Sequence, residues 1–145
     1  MHDVSRQLTA DELAELFEGH TRLVEELARR DDPLGEAHEV IAQLSEADKL
    51  EALNAHPAIG ARKLSARSAA EQGGDADPVV LTELAYLNQV YEEKFGFRFV
   101  VFVNRRPKAE ILDVLRERLE RTREEELATG VNELVAIAKD RWRQP

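Results

Sequence analysis

The amino-acid sequence predicts an all-α fold: a compact bundle of about seven or eight helices with one buried extended segment. Apolar residues recur three and four positions apart along most of the chain, and residues that begin or end helices stand at the boundaries of those stretches. Only residues 97–103 have the aromatic and β-branched composition of a strand. A lone strand has no neighbour to bond its backbone groups, so we expect this stretch to lie extended and buried between helices.

The first helical stretch begins at residues 9–12, Thr-Ala-Asp-Glu, which have the pattern of a capping box. Apolar residues at helical spacing follow and continue to Arg30, with Gly19 as the place where the helix could break. The sequence Asp-Asp-Pro at 31–33 then ends it. A second amphipathic stretch lies around residues 40–44.

A short helix follows Ser45, which is a typical N-cap residue. This helix must end before Pro57, because a proline disfavours the helical conformation in the residue that precedes it. That residue is His56. The sequence therefore predicts an imidazole held at the junction between a helix and a turn.

The second half of the chain contains three more helix starts. The pair at 77–78, Asp-Pro, is a strong helix start, and Gly96 ends the helix that follows. Pro107 begins the next helix, and Thr122 caps a last helix that runs towards Trp142.

Composition and charge exclude or disfavour several classes of function for this protein. The chain has 145 residues without a repeat, a low-complexity tract or a linker, and we expect a single domain over 1–145. The absence of cysteine excludes disulfides, thiolate metal ligands and a cysteine nucleophile. The net charge of -9 argues against a nucleic-acid partner, and the short basic runs at 105–106 and 141–143 favour a solvated surface. No stretch is apolar enough to span a membrane and neither terminus carries a targeting signal, so we expect a cytoplasmic protein.

Because the chain has no cysteine, any catalytic site must use histidines, carboxylates, arginines or hydroxyls. No histidine pair has the spacing of metal ligands, so we expect no metal site. His2 lies at the terminus, and His20 and His38 lie in acidic helical stretches typical of a surface. His56 lies among apolar residues, with proline and glycine restricting the backbone. It is either a buried histidine satisfied by a backbone carbonyl or a general acid and base, and the residues alone favour neither.

Two further patterns contain residues that could act in a site but that also have a structural interpretation. Ser68-x-x-Glu71 is a capping-box pattern, and the structural interpretation is favoured on spacing alone. However, Gly73-Gly74 follows it, and a carboxylate at the end of an element can reach into a cavity. Tyr91 and Phe95 are one helical turn apart and are expected to pack in the core.

Taken in order, these patterns resemble one family. The chain contains His56-Pro57-x-Ile59-Gly60, then Ser68-x-x-Glu71-Gln72, then Leu87-Asn88-x-x-Tyr91-x-x-Lys94-Phe95-Gly96-Phe97-x-Phe99-Val100, and last Ile137-x-x-Asp140-Arg141-Trp142. Their order and separation are similar to those of the 2-oxo-4-hydroxy-4-carboxy-5-ureidoimidazoline (OHCU) decarboxylases. The resemblance extends from Leu8 to Trp142.

The resemblance implies an all-α homodimer that needs neither a metal nor an organic cofactor. Its reaction would convert OHCU, which forms after urate oxidation, to (S)-allantoin and carbon dioxide. His56 matches the family's catalytic histidine and Glu71 its active-site glutamate. The other matched positions would contact the substrate: Pro57, Ser68, Gln72, the backbone around Val101, and Arg141 of the last helix.

The sequence departs from the family pattern at two places. The Phe-Glu pair at 17–18 is followed by Gly-His-Thr-Arg, where family members often carry Pro-Trp. Trp142 replaces the usual leucine after the C-terminal arginine, and Arg143 offers a second register for that arginine.

Two other function classes remain open on the sequence. The first is a family member without activity that binds a purine-derived ligand or regulates a partner. The second is a structural helical domain, such as an adaptor, whose motifs are only caps and core. In that case His56, Glu71 and Arg141 would not meet in a polar cleft.

Overall fold

A computed structural model describes residues 7–58 and 77–143 of the chain. This part contains seven helices and no strand, which confirms the predicted all-α fold. The helices are α1 (Ala10–Phe17), α2 (Arg22–Leu27), α3 (Ala37–Gln43), α4 (Glu46–Ala55), α5 (Pro78–Phe95), α6 (Lys108–Leu119) and α7 (Arg123–Arg143). None of these helices is both long and apolar enough to cross a membrane.

Several helices begin and end at the residues that the sequence signals predict. The Thr9 hydroxyl accepts a hydrogen bond from the Glu12 amide, and the Glu12 carboxylate accepts one from the Thr9 amide, both at 3.1 Å. The Asp77 carboxylate accepts a hydrogen bond from the Val79 amide at 2.8 Å at the start of α5. Gly96 ends α5 in the left-handed region, with φ of 83°.

The first helical stretch is divided into two helices. α1 ends at Phe17, Glu18 adopts a left-handed backbone with φ of 66°, and α2 begins after Thr21. The Thr21 hydroxyl caps α2 by accepting a hydrogen bond from the Val24 amide at 3.4 Å. The break anticipated at Gly19 is therefore present, and it turns the chain so that the end of α1 faces the interior.

Residues 97–103 form an extended segment between α5 and α6. Most of its side chains are buried: Phe97, Phe99, Val100, Val101 and Val103. Side chains replace the missing neighbouring strand, since Glu133 accepts a hydrogen bond from the Phe102 amide at 3.1 Å and Arg118 donates one to the Val100 carbonyl at 2.6 Å. The prediction of a buried extended segment is confirmed.

The packing of α4 against α7 depends on a glycine. A Cβ atom at Gly130 of α7 would lie 2.9 Å from a methyl carbon of Leu53, which is completely buried on α4. α1 also packs against both α2 and α7, and α2 packs against α4. The last turns of α1 and α4 thus belong to the same group of packed helices as α7.

Candidate active site

His56 stands at the end of α4, where the chain turns. Its backbone is extended, with φ of -78° and ψ of 135°, as expected for a residue before proline. The residue is only 8% exposed, and its Nδ1 atom is buried without a hydrogen-bond partner. A buried polar atom without a partner costs about 1–3 kcal/mol, so such an atom in a folded protein calls for an explanation. A bound ligand would supply the missing partner.

Arg98 holds the backbone that carries His56. Its Nη1 atom donates hydrogen bonds to the carbonyl of His56 at 2.6 Å and to the carbonyl of Asn54 at 3.1 Å. Its backbone amide donates to the Asn54 side-chain oxygen at 3.0 Å. Carbonyls in the last turn of a helix have no partner within the helix, and a cation there also interacts favourably with the helix dipole. The extended segment thus fixes the end of α4.

Arg141 crosses from the last turn of α7 to the end of α1. Its Nη1 atom donates a hydrogen bond to the Leu16 carbonyl at 3.0 Å, and its Nη2 atom lies 3.0 Å from Oε1 of Glu18. Only 2% of Arg141 is exposed. Because a guanidinium keeps its charge in proteins, its burial requires such partners.

The burial of Arg141 corrects an expectation from charge patterning. The basic run 141–143 favoured a solvated surface, and for Arg141 this is wrong, because Glu18 and a helix-end carbonyl compensate its charge and its donors in the interior. Arg143 is exposed. Of the two possible registers of the C-terminal arginine, only the one at Arg141 places a guanidinium inside the fold.

Glu18 lies in the turn after α1 and is paired with Arg141. Its side chain is 14% exposed. The next residue, Gly19, lies against α4, since a Cβ atom there would be 3.6 Å from the Cβ atom of Ala55. The turn after α1 therefore lies beside the helix end that carries His56.

The surroundings of His56 lower its basicity. The pKa of His56 is lowered to about 4: burial contributes most, the guanidiniums of Arg141 and Arg98 also lower the pKa, and the carboxylate of Glu18 raises it. The imidazole is therefore neutral at pH 7. Among the described residues, two cations and one anion act on the imidazole, so they make its surroundings positive although the whole chain carries a net charge of -9.

The structure brings together some of the residues that the sequence analysis singled out. His56 and Arg141 interact electrostatically, and Pro57 follows His56 in the chain at a half-buried position. Val101 is buried three residues beyond Arg98, and no described residue accepts a hydrogen bond from its amide. Three expected site residues, Ser68, Glu71 and Gln72, lie outside the described residues.

Two other histidines lie where the sequence predicted, and His2 lies outside the described residues. His20 and His38 are exposed. Within residues 7–58 and 77–143, no three histidine, aspartate or glutamate side chains are grouped closely enough to hold a metal ion.

Glu18 and Arg98 were missed by the sequence analysis. Glu18 had one signal: it is a charged residue at a helix break, directly before Gly19, where the helix was expected to be interrupted. Arg98 interrupts an otherwise apolar segment, which indicates a special role without indicating the partner.

A second buried polar cluster, centred on Glu126, joins α5, α6 and α7. Glu126 is completely buried; its Oε1 atom accepts hydrogen bonds from the Tyr91 hydroxyl at 2.6 Å and from Arg118 Nε at 2.7 Å. Its Oε2 atom accepts one from Arg121 at 2.9 Å. Burial and the hydrogen bond to Glu126 raise the pKa of Tyr91, so the phenol remains a donor. The prediction that Tyr91 packs in the core is confirmed, and its polar contact is additional.

Known proteins resemble this chain in sequence and in fold. A sequence model of the OHCU decarboxylase family matches residues 27–143. An OHCU decarboxylase of Haloferax volcanii is 30% identical over 142 residues, which are 89% of this chain and 83% of that protein. The uric acid degradation bifunctional protein of Bacillus sp. (strain TB-90) is 30% identical over 111 residues, which are 73% of this chain. This chain spans only 22% of the length of the Bacillus protein.

A solved structure has the same fold. It is the crystal structure of an OHCU decarboxylase in the presence of (S)-allantoin. The two chains align with a TM-score of 0.77 and 26% sequence identity, covering 92% of this chain and 96% of the other. The fold of this chain thus also occurs in a solved structure of an OHCU decarboxylase.

Proposed function

Because this chain belongs to the OHCU decarboxylase family, we propose that it decarboxylates OHCU to (S)-allantoin and carbon dioxide in the breakdown of urate. The observation that carries the proposal is the buried, neutral imidazole of His56, whose Nδ1 atom has no partner and which lies in a positive environment. This combination offers a proton acceptor to an anionic ligand.

The chemistry of the substrate fits these surroundings. As its name states, OHCU carries a carboxylate, a hydroxyl and a ureido group on one ring. Among the described residues, Arg141 and Arg98 contribute positive charge near His56, against the carboxylate of Glu18. In this proposal Arg141 holds an anionic or carbonyl group of the substrate, since a guanidinium can donate two parallel hydrogen bonds to such a group.

The reaction breaks the bond between the ring carbon and the carboxylate. Carbon dioxide leaves, and the electron pair that remains is delocalised over the ring until carbon is protonated on one face. Neutral His56 accepts a proton from the substrate hydroxyl and returns it to carbon. The net change replaces a carboxylate by hydrogen, so one proton is taken up from the solvent in each turnover.

The remaining site residues of the proposal hold and stabilise the ring. The amide of Val101 donates a hydrogen bond to a ring carbonyl on which negative charge develops. Glu71 orients His56 or a ureido N–H group, while Ser68 and Gln72 fix the ring and Pro57 lies against it. The family resemblance supports these roles.

We propose further that the protein is a cytoplasmic homodimer of single-domain chains that requires no metal or organic cofactor. Activity should survive dialysis against a chelator, and sedimentation equilibrium should give the mass of two chains. A loss of activity that is restored by a metal ion would contradict the cofactor-free mechanism. A monomeric mass would contradict the dimer.

The stereochemistry of the product tests the proposed activity. OHCU can be generated in the cuvette with urate oxidase and the hydrolase that follows it, and circular dichroism reports the allantoin formed. Spontaneous decay gives a racemate, whereas the enzyme should rapidly give the (S) enantiomer alone. A racemate formed at the spontaneous rate would contradict the activity, and ligand binding without turnover would identify a non-catalytic family member.

Replacement of the proposed acid and base gives the first prediction for a variant. We expect His56→Ala to lower kcat by about 100-fold or more, because a positioned acid and base contributes roughly 10²–10⁴-fold to rates. His38→Ala, which alters an exposed histidine of α3, is the matched control and should retain the wild-type rate. If folded His56→Ala keeps the wild-type kcat, the proposed role of His56 is wrong.

A further inference from the structure

Within the described part of the chain, Glu18 is the carboxylate that interacts with both Arg141 and His56. Its Oε1 atom lies 3.0 Å from Nη2 of Arg141, and its charge acts directly on the imidazole. Neither the motifs nor the family resemblance assigned Glu18 a role. Its contacts therefore raise the question of what the residue does.

The backbone at Glu18 does not explain the presence of a glutamate. Glu18 ends α1 with φ of 66° and ψ of 28°, and the following amide, that of Gly19, donates to the Ala14 carbonyl at 2.9 Å. Glycine is the usual residue at a left-handed helix end, because a side chain disfavours this conformation. The carboxylate is mostly withdrawn from solvent and paired with Arg141. The side chain, rather than the turn, accounts for glutamate here.

Two contacts with residues of the described part of the chain hold the plane of the Arg141 guanidinium. Leu16 accepts a hydrogen bond from Nη1 through its carbonyl, and Glu18 pairs with Nη2. Leu16 lies in the last turn of α1 and Glu18 directly follows the helix, so both partners come from one short stretch of the chain. Because a guanidinium is planar, fixing both of its terminal nitrogens also determines where its other N–H groups point.

We propose that Glu18 is a positioning residue: it holds the Arg141 guanidinium in the orientation that binds the substrate carboxylate, and thereby places the reacting carbon relative to His56. This inference rests on the proposed function. Glu18 itself need not touch the substrate, since it acts through Arg141. A neutral side chain at this position would weaken the ion pair at Nη2, so that Arg141 is held less strictly in that orientation.

Glu18→Gln tests the proposal, because glutamine keeps an acceptor oxygen and removes only the charge. We expect the KM for OHCU to rise by about tenfold while kcat changes by less than about threefold, since a misplaced anchor weakens binding of the ground state and the transition state alike. Glu18→Ala removes the acceptor as well and should raise KM further. Thermal unfolding shows that each variant is folded at the assay temperature.

Glu26→Gln is the matched control. Its carboxylate on α2 lies 2.8 Å from Nη2 of Arg22, and its side chain is 27% exposed, so the change removes a comparable ion pair elsewhere. This variant should keep the wild-type KM. A purely structural role for Glu18 would lower the melting temperature without raising KM, and an unchanged KM in folded Glu18→Gln would overturn the proposal.

A second measurement tests whether Glu18 positions Arg141 independently of the proposed decarboxylase activity. The side-chain NMR signals of ¹⁵N-labelled arginine, assigned with Arg141→Lys, report the rotation of the guanidinium without any substrate. Restricted Arg141 Nη signals in the wild type should be lost in Glu18→Gln and kept in Glu26→Gln. If the wild type lacks stereospecific activity, the proposed function is wrong, but the NMR measurement still shows whether Glu18 positions Arg141. Arg141 signals that are unchanged in Glu18→Gln would overturn the proposal that Glu18 positions Arg141.

Discussion

His56 has two properties, an unpartnered buried nitrogen and a neutral ring, that a purely structural histidine is not expected to have together. Its Nδ1 atom is buried without a partner, and its burial and two neighbouring arginines keep the ring neutral. A histidine with only a packing role would be expected to use both ring nitrogens or to be replaced by an apolar residue without loss. The cost of keeping this imidazole is consistent with a functional site, where such costs are tolerated.

The lowered pKa of His56 predicts how stability depends on pH. In the unfolded chain the imidazole takes up a proton near pH 6.5, whereas in the folded chain it does so only near pH 4. Below pH 6.5 the unfolded state therefore binds more protons than the folded state, and stability is lost as the pH falls from 6.5 to 4. The loss attributable to His56 should be roughly 3 kcal/mol.

Urea unfolding of the wild type and of His56→Gln between pH 7 and pH 4 measures this contribution. Other groups titrate in both proteins, so the informative quantity is the difference between their unfolding free energies. The wild type should lose more stability than the variant as the pH falls. A difference that stays constant over this range would show that the pKa of His56 is not lowered.

At the scale of helices, the site is built from helix ends. The last turns of α1 and α4 present carbonyl groups that no residue of their own helix can bond. Arg141 bonds the Leu16 carbonyl of α1, and Arg98 bonds the carbonyls of Asn54 and His56 at the end of α4. The same two arginines act on the imidazole. Helix termination and the electrostatics of the site therefore depend on the same side chains.

The cluster around Glu126 serves the fold rather than the site. It ties Tyr91 of α5 and Arg118 of α6 to the first turns of α7, and Arg118 also faces the ring of Phe99 at 4.7 Å. One carboxylate of α7 thus satisfies groups from α5, from α6 and from the turn that follows α6, and Arg118 also holds the extended segment through the Val100 carbonyl. This cluster positions the segment that carries Arg98 and Val101.

We expect Glu126→Gln to lower the free energy of unfolding by about 3–5 kcal/mol, because removing one charge of a buried pair leaves the other uncompensated. Arg118 is the partner whose charge would be left uncompensated, since its side chain is only 6% exposed. Glu124→Gln, at an exposed position in the first turn of α7, should cost at most about 1 kcal/mol through the helix dipole. Equal losses in the two variants on denaturant unfolding would contradict the importance of the buried cluster.

At the scale of the whole molecule, two electrostatic effects oppose each other. The chain carries a net charge of -9, which repels an anionic substrate, whereas the groups around His56 attract it. Surface charges act at long range through solvent and are screened by salt, whereas charges inside the fold are screened much less. The balance between them should therefore depend on ionic strength.

We predict that kcat/KM for OHCU rises when sodium chloride is increased from low to physiological concentration, because salt removes the long-range repulsion and leaves the attraction by the buried arginines. The value of kcat, which describes the bound complex, should change little. Initial rates of (S)-allantoin formation at several salt concentrations measure both. A fall in kcat/KM with salt would show that exposed positive charge guides the substrate instead.

Local sequence signals were sufficient to predict most of the secondary structure and the place of His56 at the end of α4. The cap at Thr9, the start at Asp77-Pro78 and the end at Gly96 are local signals, because each depends on residues within one turn of helix. Pro57 likewise forced the end of α4 at His56 without reference to any other part of the chain. The family could also be recognised, since its motifs are short and occur in a fixed order.

The pairing of charged side chains could not be predicted from local signals, because it depends on how the helices pack. Arg141 and Leu16 are 125 positions apart, and Glu126 is 35 positions from Tyr91, so no local pattern pairs them. Charge patterning even placed Arg141 at the surface, because a local pattern of charges does not reveal a distant partner that makes burial favourable. Glu71 remains a prediction. Caps and turns act over one helical turn, whereas a compensated charge in the interior depends on how whole helices pack.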